Sequence, residues 1–218
     1  MKQLVHINRE EIDIAAERYF HNINGFEPNW PDNIRMRDKL REHLRPRALT
    51  RSFSRDVVHD GELFIEGHAF PCRVLAGLEK KRVLSVYAFV LTTGELPNAD
   101  QSIIEALYAD FWATAYVSAT GDALQRHLRQ FHTVPAYVSG PVSPGFYDMD
   151  IKKISELFQI LDGNEIGVSL HGFMMTPLKS CAGFYFVVDD EAQLIFMNER
   201  CLYCHKGNGG GCAFCCHR

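Results

Sequence analysis

An α+β fold built on a central, twisted, mostly antiparallel sheet flanked by helices is what this sequence predicts, on three observations. The run Arg82 to Thr93 (RVLSVYAFVLTT) is almost continuously apolar, the pattern of a strand buried on both faces. Strand-like and helical segments follow one another without the regular alternation that builds parallel βαβ units. Apolar residues make up 46% of the 218, against 23% charged, which is enough to bury a core and too much for a disordered chain.

The elements follow in order. Leu4 to Ile7 reads as a short strand, and Asn8-Arg9-Glu10-Glu11 as a capping box with Asn8 at the N-cap and Glu11 at N3. The helix it opens runs to about Phe20, before the break at Asn24-Gly25. A second helix spans about Asp32 to Leu44 and stops at Pro46. Leu49 to Val58 and Glu62 to Phe70 flank His59-Asp60-Gly61, a hairpin signal. After the Arg82–Thr93 strand, Gly94 and Pro97 intervene before a long helical region from about Ala99 to Phe131, which Gly121 is expected to break. Ile103, Leu107, Phe111, Ala115, Leu124 and Leu128 mark its apolar face. A loop, Pro135 to Asp150, leads to a helix from Ile151 to Leu161. Strand-like segments Ile166 to Leu170, Ala182 to Val188 and Leu194 to Met197 close the domain, with Asp189-Asp190-Glu191 as a hairpin turn between the last two.

Composition and motifs exclude several functions. A formal charge of −4 argues against nucleic-acid binding by bulk charge. No apolar run is long enough to span a membrane. The opening Met1-Lys2-Gln3-Leu4 leads straight into a charged segment, so the expectation is a cytoplasmic protein without an export signal. There is no P-loop, no Gly-x-Ser-x-Gly and no His-Glu-x-x-His. The ten histidines are scattered, and His127 and His132 lie five apart, poor ligand spacing on a helix. The arginine-rich stretch Arg35, Arg37, Arg41, Arg45, Arg47, Arg51 and Arg55 reads as a solvated face or as a docking surface for an acidic partner. Nothing here looks like an enzyme with its own nucleophile.

One succession of motifs is specific. Ser143-Pro144-Gly145-Phe146-Tyr147-Asp148 precedes a helix, then Ile166-Gly167-Val168-Ser169-Leu170, then Phe173-Met174-Met175-Thr176-Pro177-Leu178-Lys179-Ser180. This order resembles the activation (reactivation) domain of cobalamin-dependent methionine synthase, and most of all the short stand-alone proteins of that family. The match covers about residues 82–188, and the N-terminal part agrees in element order. The resemblance implies an S-adenosylmethionine groove formed at Ser143, Pro144, Gly145, Phe146, Tyr147 and Asp148. It also implies an accessory role in reductive reactivation of a corrinoid methyltransferase, by docking on a corrinoid-binding protein that supplies the cobalamin. On that reading the corrinoid carries the chemistry and this chain supplies positioning. Pro144 and Gly145 set a bend that brings main chain close to a ligand, and the Phe146 ring offers a face to a sulfonium.

Three positions depart from the family pattern. The arginine that helps hold the ligand, four residues before the motif glycine, is replaced by Pro141; the motif tyrosine is Phe146; and the acidic residue of the preceding helix aligns with Thr114. The turn at His171-Gly172 is one residue short. A second reading follows: a partner-binding module that has lost S-adenosylmethionine.

The cysteines are lopsided. Of seven, five lie in the last 18 residues: Cys201, Cys204, Cys212, Cys215 and Cys216. Two C-x-x-C knuckles seven residues apart suit zinc or an iron–sulfur cluster, and a redox thiol pair is the other reading. Arg200, Lys206 and Arg218 would favour thiolates. An iron–sulfur site would relay an electron from a donor to the corrinoid, whereas zinc would be structural. Cys72 and Cys181 are expected to be buried small hydrophobes. The chain thus divides into an α+β domain, 1–198, and a metal or redox tail, 199–218. Within the first, 1–75 holds the N-terminal helices and hairpin.

Overall fold

The computed structural model describes residues 1–21, 30–97 and 102–194. Along the chain run strand β1 (Lys2–His6), helices α1 (Arg9–His21) and α2 (Pro31–His43), strand β2 (Arg47–Phe53), the short strands β3 (Val58–His59), β4 (Glu62–Ile65) and β5 (His68–Pro71), and the long strand β6 (Val83–Thr92). Then come helix α3 (Ile103–Arg129), strand β7 (Tyr137–Val138), helix α4 (Lys153–Ile160), strands β8 (Ser169–His171) and β9 (Met174–Thr176), and strand β10 (Ser180–Val188). The main sheet is antiparallel throughout, in the order β1-β2-β6-β10-β7. Its centre is β6, where the continuous apolar run placed it. Strands β3-β4-β5 form a second small sheet and β8-β9 a separate ribbon.

Period-two alternation along β6 sorts its side chains onto two faces. Tyr87, Phe89 and Leu91 join Leu124 and Leu128 of α3, with Tyr185 and Val187 of β10 beside them. Val86, Ala88 and Val90 point the other way, into a cluster with Leu63, Phe70, Leu157 and Ile160, joined there by Phe184 and Phe186. The sheet is therefore sandwiched between α3 and a layer made of the small sheet and α4. Within the sheet Phe89 stacks on Tyr185 of the neighbouring strand with centroids 4.4 Å apart, and across the other interface Phe70 meets Phe184 edge-on at 4.9 Å. Truncating any of these fully buried phenylalanines to alanine costs about 3–5 kcal/mol.

Helices α1 and α2 pack on α3 through Ile12, Ala16, Phe20, Met36 and Leu40 against Tyr108, Trp112 and Tyr116. Phe20 stacks on Trp112 at 4.2 Å. Two polar links cross this helical layer. Trp112 Nε1 donates to Asn33 Oδ1 at 2.6 Å. The Tyr116 hydroxyl donates to Asp13 Oδ1 at 3.0 Å, and Arg41 meets the other Asp13 oxygen at 2.9 Å. Burial, then the adjacent Asp13 carboxylate, push the Tyr116 phenol well above its ordinary range.

The structure departs from sequence expectation in instructive places. Asn8 caps α1, accepting from the Glu10 amide at 2.9 Å, but Glu11 does not close the box; it pairs with Arg126 of α3. Gly121 does not break α3, which is continuous, with the Tyr185 hydroxyl 3.5 Å from the Gly121 carbonyl. The first half of α3 buries Glu105, Tyr108, Trp112 and Tyr116, while Ile103 is 89% exposed and Leu107 is exposed. Ile166 to Leu170 is not one strand. A 3-10 turn, Gly163–Ile166, ends on left-handed Gly167 before β8 starts. Asp189 to Glu191 makes no hairpin within the described residues but enters a 3-10 turn, Glu191–Leu194.

The hairpin at Asp60-Gly61 does form, joining β3 to β4. A second turn at Glu66-Gly67 joins β4 to β5, both residues having positive φ. Several of the arginines, though partly exposed, make intramolecular pairs. Arg35 pairs with Asp32 and Glu105, Arg37 with Glu17 and Asp38, and Arg51 with Glu66. Arg55 donates to the Lys81 carbonyl. Among the described residues, no helix is long and apolar enough to cross a membrane.

Candidate functional site

The segment leading into the candidate loop runs along the edge of β10. The Ser139 amide donates to the Phe186 carbonyl at 2.8 Å, and Val142 and Phe184 exchange main-chain bonds at 2.9 and 2.8 Å. Three steps on the edge thus match two on β10, and Gly140-Pro141 forms the bulge. Proline fits a bulge because no ladder donor is needed there. The Ser139 hydroxyl fills the gap, accepting from the Phe186 amide at 3.0 Å and donating to the Gly140 carbonyl at 2.7 Å.

Gly183 of β10 lets this edge come close. A Cβ there would lie 2.5 Å from the Val142 carbonyl oxygen, 2.5 Å from Ser143 Oγ and 3.1 Å from Ser143 Cα. The loop then turns on itself. The Phe146 amide donates to the Ser143 carbonyl, the Met149 amide to the Phe146 carbonyl, and the Gly145 amide to the Met149 carbonyl at 2.8 Å. Gly145, Tyr147 and Asp148 all have positive φ. For Tyr147 and Asp148 that is a strained conformation, held by the surrounding bonds. The Arg73 amide donates to the Tyr147 carbonyl at 3.2 Å, and the Arg73 guanidinium lies 3.3 Å from Asp148 Oδ2.

The six candidate ligand residues therefore divide. Ser143 and Pro144 are buried, Gly145 makes the turn, and Tyr147 packs on the core beside α4. Phe146 is 66% exposed and Asp148 is exposed. The amides of Gly145 and Phe146 are used within the loop, so what the loop presents outward is an aromatic face and a carboxylate. Behind it, burial pushes the Cys72 thiol up to about 11, which keeps it protonated at neutral pH and matches the expected small hydrophobe.

Two clefts flank this region of the sheet. The smaller, about 130 Å³, is lined by Tyr19, Ser118, Asp122, Gln125, Pro141 and Cys181 among others. Pro141 thus faces a cleft wall on α3 whose acid is Asp122, two turns beyond Thr114. Tyr19 donates to Asp122 at 2.6 Å. Cys181 lines this cleft and is half-buried, not a closed core residue as expected. The larger cleft, about 620 Å³, lies between Gly94–Pro97, the α3 residues Ala106, Ala109, Asp110 and Ala113, and Pro177–Lys179. Thr114 stands beside this one, accepting from Lys179 at 2.9 Å.

No protein-family model matches the chain, and no curated protein matches it in sequence. A crystal structure of the MetH reactivation domain bound to AdoHcy superposes with a TM-score of 0.56 at 14% identity, covering 87% of this chain and 79% of that one. The chain has the fold of that domain.

The metal candidates Cys201, Cys204, Cys212, Cys215 and Cys216 lie outside the described residues. Among the described residues, no group of three or more His, Cys, Asp or Glu side chains is arranged to hold a metal. Sequence reading did not single out Gly183, Ser139 or Lys179 as site-forming. Each acts through a partner distant in sequence, although Lys179 lies within the motif-bearing segment Phe173–Ser180.

Proposed function

We propose that this chain is a reactivation-domain-like accessory protein that binds an S-adenosylmethionine-type ligand and docks on a corrinoid-binding protein or methyltransferase. The observation that carries the reading is the shared fold with a domain solved with AdoHcy bound, combined with the Ser143–Asp148 motif at a pinned sheet edge. The exposed Phe146 ring packs on the ligand's sulfonium or base, a contact worth about 0.5–2 kcal/mol for a cation over an aromatic face. Asp148, steadied by Arg73, accepts hydrogen bonds from the ligand. A corrinoid held by the partner would supply the methyl-accepting cobalt chemistry, with a donor protein as its source of reducing electrons. This chain's residues bind and orient the methyl donor. Cys201, Cys204, Cys212, Cys215 and Cys216 would hold an iron–sulfur cluster, which would supply electron relay, or zinc, which would only stabilise the tail.

A second reading has its own support. Pro141 offers no charge or donor where the family's arginine helps hold the ligand, and the Gly145 and Phe146 amides are already bonded. On this reading the chain is a docking module without the adenosyl ligand. Isothermal calorimetry with S-adenosylmethionine separates the two: saturable heat supports the first, and no heat at millimolar ligand leaves the second. Anaerobic purification followed by a visible spectrum and metal analysis decides the tail.

A further inference from the structure

Strands β1 and β2 set basic side chains directly opposite one another. The Ser52 amide donates to the Met1 carbonyl at 3.0 Å, and the Met1 amino group to the Ser52 carbonyl at 3.3 Å. The pairs Lys2/Arg51, Leu4/Leu49 and His6/Arg47 therefore fall between the bonded ones, where facing side chains stand closest. All three rows lie on the sheet face that carries the small sheet and α4. Like charges directly opposite are unfavourable. The first row is relieved: Lys2 pairs with Glu165 and Arg51 with Glu66.

The His6/Arg47 row has no such relief. Neither side chain has a hydrogen-bond or ion-pair partner among the described residues. Arg47 is half-buried, and its Nε is buried without an acceptor, whereas its two terminal nitrogens reach solvent. Packing holds this guanidinium in place. Left-handed Gly167, at the end of the 3-10 turn, comes so close that a Cβ there would lie 3.1 Å from Arg47 Nη2. The acids of that turn are already used, Glu165 by Lys2 and Asp162 by the Asn164 amide, which it accepts at 3.0 Å. On the other side stands Thr92, which is buried and neutral. An arginine fixed by contact rather than by a carboxylate keeps its terminal fork for a ligand.

We infer that Arg47 and His6 form a binding site for a phosphate group. The Arg47 fork takes two of its oxygens and the His6 ring a third. A carboxylate has only two oxygens and leaves His6 without one. Strand β6 separates this site from β10 and the Ser143–Asp148 loop, so it is distinct from the adenosyl site.

The test adds inorganic phosphate to the full chain at constant ionic strength, followed by amide NMR. Saturable shifts are expected around residues 6, 47 and 167, with a dissociation constant of about 1–10 mM. Acetate binds at least about tenfold more weakly. Arg47→Gln weakens phosphate at least about tenfold, Arg47→Lys, which keeps the charge but loses the fork, falls between, and His6→Gln weakens it less than Arg47→Gln. Methyl phosphate separates the sources: binding equal to the free ion marks a site for a phosphate carried on a larger ligand, and binding of the free ion alone marks a site for the ion. No saturable shift at these residues, acetate binding as tightly as phosphate, or unchanged binding in Arg47→Gln overturns the inference. If Arg47→Gln does not fold by circular dichroism, Arg47→Lys and the phosphate–acetate comparison decide. S-adenosylmethionine titrated into Arg47→Gln keeps its wild-type heat, so the two readings fail separately.

Discussion

Replacing Gly183 with alanine tests how the candidate loop is held. The added Cβ lands 2.5 Å from the Val142 carbonyl oxygen and 2.5 Å from Ser143 Oγ. The Ser143 side chain can rotate away, but the Val142 carbonyl is main chain and bonded to the Phe184 amide at 2.8 Å. Reaching even a tight contact of about 3.0 Å requires the edge to recede by at least about 0.5 Å, against that bond. Overpacking of this kind costs about 1–3 kcal/mol. For a chain of this length each kcal/mol lowers the thermal midpoint by about 2–4 °C, so the expected loss is about 2–12 °C. Because Ser143 leads directly into Pro144 and Phe146, the same displacement weakens S-adenosylmethionine. Differential scanning calorimetry reads the first effect and a ligand titration the second. A midpoint within 1 °C of wild type, with ligand affinity unchanged, would refute the reasoning that Gly183 sets the loop's position.

Other substitutions test separate parts of the account. Gly121→Ala raises stability by about 0.5–1 kcal/mol in urea melts, because it removes a helix-interior glycine and its Cβ meets only the Tyr185 hydroxyl at an ordinary 3.4 Å. Ser139→Ala lowers stability by about 1–3 kcal/mol in the same melts, since the buried Phe186 amide loses its acceptor. The raised Tyr116 phenol predicts an alkaline limb: the unfolded chain releases this proton near pH 10 while the folded chain keeps it, so stability is full below that pH and falls above it. Tyr116→Phe removes that part of the slope, which pH-dependent denaturation measures. Phe146→Ala leaves the thermal midpoint unchanged but weakens S-adenosylmethionine by about 2- to 30-fold, the range of a cation–aromatic contact.

What was legible in the sequence is what local pattern encodes. The apolar run of β6 announced a central strand, Asp60-Gly61 announced its hairpin, and the order of motifs from Ser143 to Ser180 announced the fold. The misreadings share a cause. Gly121 looked like a helix breaker because propensity is local, whereas its place under Tyr185 is set by tertiary packing. Ile103 and Leu107 looked like core by periodicity, but the aromatic stripe Tyr108, Trp112 and Tyr116 outcompeted them for α1 and α2. Glu66-Gly67 escaped notice because glutamate rarely takes positive φ. At the candidate site, the loop's residues were identified but its internal bonding was not. The bend at Pro144 and Gly145 is expected to bring main chain to a ligand, but the Gly145 and Phe146 amides close the turn. Lys179 and Thr114 are 65 residues apart and no sequence window joins them.

The central claim is that an adenosyl ligand sits at the pinned loop. Amide NMR shifts recorded while AdoHcy is added to the full chain test it most directly. A ligand seated there gives saturable shifts concentrated in residues 139–149 and their β10 neighbours Gly183 to Phe186. An absence of shifts at saturating ligand, or shifts confined to the cleft at Lys179, would contradict it.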